Sequence, residues 1–288
     1  MDISNGVRHY LSPSGIRLTV ADGKGAVEEA RAIHHLPPVA TVIMGKVLLG
    51  SALLATDFKN HEGVSLKWIT GSPLGTIHAD AYEGRYVRGY VDAPESTADL
   101  PENEVNEQRF MGGKGQLFVT RYSLLRRPYT STVDLHHQEA AACLTEYLNT
   151  SEQVLSAMGL AVRLDEKGLV SDARGFLAQL MPGGEEKEFH RLFDGAQKDL
   201  FTDGEGSLFS IIEKESFTEI GRAPLSFQCT CSEDRIRASL TSLPPDERES
   251  LLTDESIEIV CHYCGRVYHI DRPVLKQWFS EEKGGSVQ

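Results

Sequence analysis

Two short stretches near the C-terminal end, FQCTC at residues 227–231 and IVCHYCG at residues 259–265, carry four of the five cysteines of this 288-residue chain. The cysteines form a C-x-C pair and a C-x₂-C pair, with 29 residues between the two pairs. A tetrahedral zinc ion needs four soft donors, and two local cysteine pairs that meet on folding supply them. The spacing therefore predicts a Cys₄ zinc site. Its predicted ligands are Cys229, Cys231, Cys261 and Cys264.

Two other interpretations of these cysteines explain the pattern less well. Four unrelated buried cysteines do not account for Gly265, directly after the second pair, where a tight turn around a metal favours a residue without Cβ. A thioredoxin-like redox pair at Cys261 and Cys264 requires the motif at the head of a helix, whereas here two β-rich stretches flank it and predict a hairpin. Four thiolates complete the zinc shell, so His262 and His269 are predicted to lie outside it.

The segment 229–288 is predicted to be a small zinc-binding domain. Helices are expected over 232–243 and 246–252, and a last helix follows Asp271 and runs through Phe279. A region this small buries little apolar area of its own. Structural zinc contributes roughly 10–16 kcal/mol in small zinc-folded peptides, so loss of the ion should unfold this domain.

Residues 1–182 are predicted to form a large N-terminal domain of mixed α/β type, which places the chain in the α+β class. Predicted strands cover 16–20, 64–69, 75–82, 85–91, 116–122, 153–164 and 169–180. Predicted helices cover 27–35, 39–56 and 135–148. Asp134 is the expected N-cap of the last of these helices.

The clearest break in the chain is PGG at residues 182–184. Residues 183–228 after it are predicted to form a helical linker. Its short amphipathic helices, over 185–193 and 207–215, are separated by a turn-rich connection at 202–206. Helices this short are marginal alone, so their apolar faces must pack against another domain.

The formal net charge of −13 argues against a nucleic-acid partner, since such affinity comes mainly from Lys and Arg clusters. Residues 1–182 carry −4 of this charge, and the remaining 106 residues carry −9. The longest apolar run, 39–56, contains Lys46 near its middle and is predicted to be a buried helix rather than a membrane span. The first residues lack the features of a secretory signal, so we expect a cytoplasmic protein without a membrane partner.

Thiolates are the groups that peroxide and hypochlorous acid attack, and zinc keeps them deprotonated at neutral pH. A sulfur that enters a disulfide is no longer a thiolate ligand, so oxidation would expel the ion. A Cys₄ site in a domain that depends on zinc can therefore turn a chemical signal into unfolding.

In this combination the sequence resembles the family of heat shock protein 33, the redox-regulated bacterial holdase chaperones also called 33 kDa chaperonins. The resemblance covers nearly the whole chain. It includes the two cysteine motifs, CTCSE at 229–233 and Tyr268 four residues after the last cysteine. Upstream it includes VRGYV at 87–91, YLNTSEQ at 147–153 and GFLAQLMPG at 175–183.

The resemblance implies a reduced, zinc-bound, inactive monomer. Oxidation, often with heat, would convert it into a homodimer that holds unfolding client proteins without ATP and without any catalytic residue. The four cysteines would be the zinc ligands and would also form the two activating disulfides. Near neighbours are expected to pair, Cys229 with Cys231 and Cys261 with Cys264. Residues 1–182 would bind clients and form the dimer.

Two other function classes stay open at this point. The first is a zinc-ribbon adaptor, whose permanently structural zinc would support binding to protein or nucleic acid. The second is a thiol oxidoreductase that uses Cys261 or Cys264 as its nucleophile. An adaptor should keep its zinc under mild peroxide with warming, whereas a redox-switched holdase should release it and gain client binding.

Overall fold

The structure is a computed structural model with two units, Met1–Gln228 and Cys229–Gln288. It describes residues 5–56, 62–98, 107–111, 115–123, 126–194, 201 and 207–281. The turn-rich connection predicted at 202–206 lies outside the described residues.

The first unit combines strands and helices along its whole length. Its strands are β1 (Gly6–Leu11), β2 (Ile16–Asp22), β3 (Glu62–Ile69), β4 (Thr76–Tyr82), β5 (Tyr86–Val91), β6 (Gln116–Ser123), β7 (Arg126–Asp134), β8 (Ser156–Leu164), β9 (Val170–Leu180), β10 (Thr218–Pro224) and β11 (Ser226–Phe227). Its helices are α1 (Lys24–His34), α2 (Pro38–Leu54), α3 (Glu107–Met111), α4 (Ala140–Thr150), α5 (Glu186–Phe193) and α6 (Leu208–Lys214), with a 3₁₀ turn at Pro94–Thr97.

These strands form two sheets. Sheet A has the order β10-β1-β2-β9-β8 and is antiparallel throughout. Sheet B has the order β11-β5-β4-β3-β6-β7, in which β11 runs parallel to β5 and the other neighbours are antiparallel. The predicted strands 75–82 and 85–91 are present as β4 and β5, and a tight hairpin joins them. Glu83 and Gly84 both have positive φ there, at 57° and 65°, as the twist of a tight hairpin favours.

Helix α2 forms the centre of the first unit. Pro38 begins it, where a missing N–H costs nothing, and most of its 17 residues are buried. It contacts β4 and β5 of sheet B as well as β8 and β9 of sheet A. A helix that is apolar on all sides is expected to be buried in a core, because every side of it must pack against other elements. Among the described residues, no helix is long and apolar enough to cross a membrane.

The two faces of sheet A pack against different elements. In β9, the side chains of Ala173 and Leu177 belong to the core around α2. The side chains of Phe176 and Ala178, at the alternate positions of the same strand, belong to a second hydrophobic cluster. Successive side chains of a strand point to opposite faces, so this second cluster lies on the other face of the sheet. The buried linker residues Phe189, Leu192, Phe193, Leu208 and Ile212 belong to that same cluster.

The segment predicted as a helical linker, 183–228, contains strands as well as helices. The two expected helices correspond to α5 and α6, and Ser207 caps α6 by accepting a hydrogen bond from the backbone N–H of Ser210 at 3.2 Å. Strand β10 then pairs with β1, and β11 pairs with β5. The linker is therefore tied to both sheets within the first unit.

The second unit is small. Its elements are α7 (Glu233–Thr241), α8 (Pro245–Leu251), β12 (Ser256–Val260), β13 (Val267–Asp271) and α9 (Arg272–Glu281). Ser232 caps α7 by accepting a hydrogen bond from the backbone N–H of Arg235 at 3.3 Å. Its buried apolar side chains are Leu240, Ile270, Leu275, Trp278 and Phe279.

The predicted α+β class is confirmed, but one local prediction is wrong. Asp134 does not cap a helix: it is the last residue of β7 and pairs with Gln116, whose side-chain amide donates to its carboxylate at 3.0 Å. Helix α4 begins only at Ala140, after Glu139. Pairing with β6 extends the strand and overrides the local capping preference of Asp.

Candidate metal centre

The backbone of the second unit sets the positions of the four cysteines. Cys229 and Cys231 lie on the segment that leads into α7, directly before its cap. Cys261 and Cys264 lie on the turn between β12 and β13. In this turn the N–H groups of Cys264 and Gly265 both donate to the carbonyl of Cys261, at 3.3 and 2.8 Å. Gly265 has a φ of 67°, which only glycine adopts without strain.

Folding brings the four sulfur atoms together. All four Sγ atoms lie within 4.8 Å of one another. The Cys229 and Cys261 sulfurs are 3.7 Å apart, and those of Cys231 and Cys264 are 3.4 Å apart. A tetrahedron with metal–sulfur bonds of about 2.3 Å has edges of about 3.8 Å, whereas a disulfide bond measures about 2.05 Å. The spacing thus fits four thiols around one metal ion and is too long for disulfides.

Hydrogen bonds differentiate the four thiols. The Tyr268 hydroxyl donates to the sulfur of Cys231 at 3.1 Å, and the Cys231 N–H donates to the sulfur of Cys229 at 3.4 Å. Burial opposes ionisation of Cys231, but the hydrogen bonds from Tyr268 and the neighbouring thiols outweigh it and lower its pKa to about 7. Burial and hydrogen bonds to the other thiols raise the pKa of Cys264 to about 12.

These opposite shifts have a simple electrostatic meaning. Interacting groups this close lose their protons in successive steps, and each negative charge makes the next ionisation harder. A bound divalent cation removes this penalty, because it favours the thiolate form of every ligand. The donor set therefore fits a soft divalent metal ion, and the arrangement is that of a Cys-ligated metal site.

The structure also places the residues that were predicted to lie outside the site. His262 and His269 do not belong to the group of four thiols, and the exposed imidazole of His269 lies 3.6 Å from the carboxylate of Glu258. Cys143 is buried in α4, where its thiol donates to the carbonyl of His137 at 3.4 Å.

Tyr268 is a residue whose contact with the site was not predicted. The signal for it lies in the hairpin register: β12 and β13 are antiparallel, and Tyr268 pairs with Ile259, two residues before Cys261. A large side chain at this place reaches the cysteines at the end of the hairpin. The spacing of the cysteines alone does not contain that information.

Comparison with known proteins finds relatives that match nearly the whole chain. The family model described as Hsp33 protein matches residues 5–271. The 33 kDa chaperonin of Levilactobacillus brevis is 31% identical over 286 residues, covering 96% of this chain and 97% of that protein. The 33 kDa chaperonin of Caldanaerobacter subterraneus subsp. tengcongensis is 33% identical over 271 residues, covering 90% and 92%.

A solved structure is similar over the same extent. The crystal structure of the 33 kDa chaperonin (heat shock protein 33 homolog) from Thermotoga maritima matches with a TM-score of 0.81 at 26% identity, covering 97% of this chain and 99% of that one. The matched family region contains all four clustered cysteines. By sequence and by fold, the chain belongs to the Hsp33 family of 33 kDa chaperonins.

Proposed function

We propose that this protein is a redox-regulated, ATP-independent holdase chaperone of the cytoplasm that protects unfolding proteins under oxidative and heat stress. The observation that carries the proposal is the convergence of four thiols within 4.8 Å in a unit with a very small apolar core. Membership of a chaperonin family supports a role in binding other proteins rather than in catalysis.

In the reduced protein, Cys229, Cys231, Cys261 and Cys264 would hold one zinc ion. When bound, zinc keeps the four sulfurs as thiolates and joins the segment before α7 to the turn between β12 and β13. Tyr268 supports the same state, since its hydroxyl hydrogen bond stabilises negative charge on the sulfur of Cys231.

Oxidation would convert the four thiolates into two disulfides. For each disulfide, two thiolates give two electrons to one peroxide molecule, which takes up two protons and leaves as two water molecules. We propose the pairs Cys229 with Cys231 and Cys261 with Cys264. The loops that these pairs close are so short that partners stay close together while the unit loosens.

Loss of the metal ligands would unfold the second unit. Structural zinc contributes roughly 10–16 kcal/mol in small zinc-folded peptides, and a core of five buried apolar side chains does not replace it. The C-terminal end of the linker would then lose the folded domain that follows it. At this end the Tyr82 hydroxyl donates to the carbonyl of Gln228 at 2.6 Å, directly before the first zinc ligand.

Release of the linker would expose a client-binding surface. Linker helices α5 and α6 cover an apolar face of sheet A, which includes Tyr10, Leu18, Val20 and Phe176, each at most 2% exposed. Both this face and the apolar sides of the helices would become available to unfolded clients. Apolar surface of this kind binds non-native chains through the hydrophobic effect.

The activated form is proposed to be a homodimer. Residues 183–288 carry −9 of the net charge of −13. This excess opposes uncontrolled self-association of a chaperone that exposes apolar surface, because like charges repel. Neither nucleic acid nor membrane is a proposed partner.

The test follows zinc and client binding together. The reduced, zinc-loaded full chain is treated with peroxide at raised temperature, while a chromogenic chelator reports zinc release and light scattering reports aggregation of a heat-unfolding client. We expect zinc release and suppression of aggregation to rise together and to reverse with dithiothreitol. Peptide mapping of the oxidised chain identifies the disulfide pairs.

A matched pair of variants controls this experiment. Cys264→Ser removes one of the clustered thiols, whereas Cys143→Ser changes a buried thiol outside the cluster and can keep its hydrogen bond to the His137 carbonyl. The Cys143→Ser protein should behave like the unmodified chain. Zinc that stays bound under peroxide, with no gain in client protection, would instead identify a permanent zinc scaffold and contradict the redox switch.

A further inference from the structure

Strand β10 of the linker occupies one edge of sheet A, next to β1. The two strands are antiparallel and paired along the whole of β1, with one irregularity of register between His9 and Tyr10. On its other side, every residue of β1 pairs with β2. Strand β1 is therefore an inner strand of the sheet only while the linker is in place.

The contact between β1 and β10 depends mainly on main-chain hydrogen bonds. None of the seven residues of β10 is buried, and Ile220 is 56% exposed. Side chains add an ion pair in which Arg8 Nη1 lies 3.3 Å from Glu219 Oε2, and partly exposed pairs of this kind contribute little. Strand β1, in contrast, is anchored by the buried side chains of Val7 and Tyr10 and keeps its place without β10.

Strand β10 lies between the two parts of the linker that the proposed function releases. Phe217, directly before it, packs in the same cluster as helices α5 and α6. Leu225, directly after it, is buried in the core around α2 and precedes Cys229 by four residues. Opening of the helices and unfolding that starts at the cysteines would therefore reach β10 from both sides.

We propose that the opened chaperone binds extended client segments by β-strand addition at the edge of β1 that β10 vacates. This inference rests on the proposed function and adds how the client is recognised. A bare strand edge presents a row of main-chain N–H and C=O groups, which pair with any extended chain. Recognition of this kind does not select a sequence, as a chaperone for many different unfolding proteins requires.

A client segment fits this edge better than a β10 strand does. Glu219 of β10 lies opposite Tyr10, whose buried ring belongs to the apolar face that α5 and α6 cover. Once those helices leave, an apolar side chain in the place of Glu219 gains contact with this face, whereas a glutamate does not. A client with apolar side chains therefore competes successfully with the chain's own β10 and with the β10 strand of a second copy.

The direction of each N–H group in β10 follows from the register. The Leu225 N–H, directly after the strand, donates to the Asn5 carbonyl at 3.0 Å. Donors alternate in direction along an antiparallel strand, so the N–H groups of Ala223 and Gly221 face β1, whereas those of the residues that alternate with them face away. This alternation allows a main-chain test in which no side chain changes.

A peptide with the sequence of residues 217–225, FTEIGRAPL, blocked at both ends, probes the edge. Fluorescence anisotropy follows its binding to the full chain before and after oxidation with peroxide at raised temperature. We expect binding to the oxidised chain only, because β10 covers the edge in the reduced, zinc-loaded chain. N-methylation of the peptide at Gly221 and Ala223 should weaken binding at least about tenfold through two lost hydrogen bonds. N-methylation at Ile220 and Arg222 should leave binding nearly unchanged.

The same peptide in excess should displace a client and so reduce the suppression of its aggregation by the oxidised chain. Equal affinity of the two methylated peptides, or no peptide binding by an oxidised chain that protects clients, overturns strand addition and leaves the holdase proposal standing. A peptide that separates a dimer into monomers without displacing the client assigns the edge to β10 of the second copy and also overturns it. An oxidised chain that retains zinc and protects no client overturns both proposals.

Two proline substitutions carry the same contrast into the full chain. Gly221→Pro removes a donor that faces β1, and a Cβ at this position would meet His9 Cδ2 at 3.5 Å, an ordinary contact. Ile220→Pro removes a donor that faces away, where an edge strand tolerates proline. Under reducing conditions, Gly221→Pro should speed amide exchange of Val7 and His9 at least about tenfold and should bind the peptide without oxidant. Ile220→Pro should behave like the unmodified chain, and equal behaviour of the two variants would refute the proposal.

Discussion

Leu192→Ala in α5 is expected to open the linker without oxidant, while the four cysteines stay reduced. Leu192 is 8% exposed and belongs to the cluster that joins the linker helices to sheet A. Helices α5 and α6 have eight and seven residues, and isolated helices shorter than about 12–15 residues are marginal in water. Packing on the sheet therefore keeps these helices folded. A loss of packing energy lowers the free energy that is needed to open the linker locally.

The magnitude follows from the burial of this side chain. Truncation of a buried leucine to alanine costs about 2–5 kcal/mol, as lost transfer free energy plus the cost of the cavity. Each 1.4 kcal/mol is a factor of ten, so the open fraction of the linker should rise about 30- to 4,000-fold.

Hydrogen exchange of the backbone amides measures this opening directly. Under reducing conditions, the amides of α5 and α6 should exchange faster in Leu192→Ala, while those of α7 and α9 in the second unit keep their protection. Zinc content should be unchanged. The variant should also suppress aggregation of a heat-unfolding client without peroxide.

Leu177→Ala is the matched control. Leu177 is 2% exposed but points from β9 into the core around α2, on the other face of sheet A. It should lower the stability of the whole first unit without selectively loosening α5. Unchanged exchange in α5 of Leu192→Ala would refute the packing argument, and an open linker without client protection would refute the proposed client surface.

Three further predictions concern the metal centre and pH. Cys264→Ser should lower bound zinc below one per chain and remove amide protection from the second unit, whereas Cys143→Ser should preserve both; unchanged zinc content in the first variant would contradict the ligand assignment. Tyr268→Phe loses a hydrogen bond to a clustered sulfur, worth about 1 kcal/mol, so peroxide-driven zinc release trapped by a chelator should quicken about fivefold. The hydrogen bond with Asp194 raises the pKa of His190 above its usual value of about 6.5, so the stabilisation of α5 is fully present below pH 6.5 and is lost as pH rises through the raised pKa. Amide exchange in α5, corrected for its intrinsic pH dependence, should quicken over that window in the unmodified protein but not in His190→Gln.

Local signals were the ones that could be predicted from sequence. The helix expected over 232–243, the neighbouring strands expected over 75–82 and 85–91, and the convergence of two cysteine pairs each depend on residues close together in the chain. Strand β10 was not predicted because its residues alternate only between exposed and half-buried, and its partner β1 lies more than 200 residues away. The conformation of Asp134 could not be predicted for the same reason, because it is set by pairing with β6, which lies elsewhere in the sequence.

The two units differ in what their stability depends on, and this difference makes a reversible switch physically reasonable. Typical domains are stable by about 5–15 kcal/mol, so the roughly 10–16 kcal/mol that a structural zinc contributes is as large as the whole stability of a domain. The second unit has only five buried apolar side chains, so under the proposed function the loss of zinc would exceed what so small a core supplies. The first unit builds its main core around α2 from both sheets, without any of the four cysteines, and so would stay folded while the linker opens. Under the proposed function, a first unit that stays folded while the second unit unfolds on oxidation would expose apolar surface without loss of its own fold, and reduction with rebinding of zinc would restore the closed state.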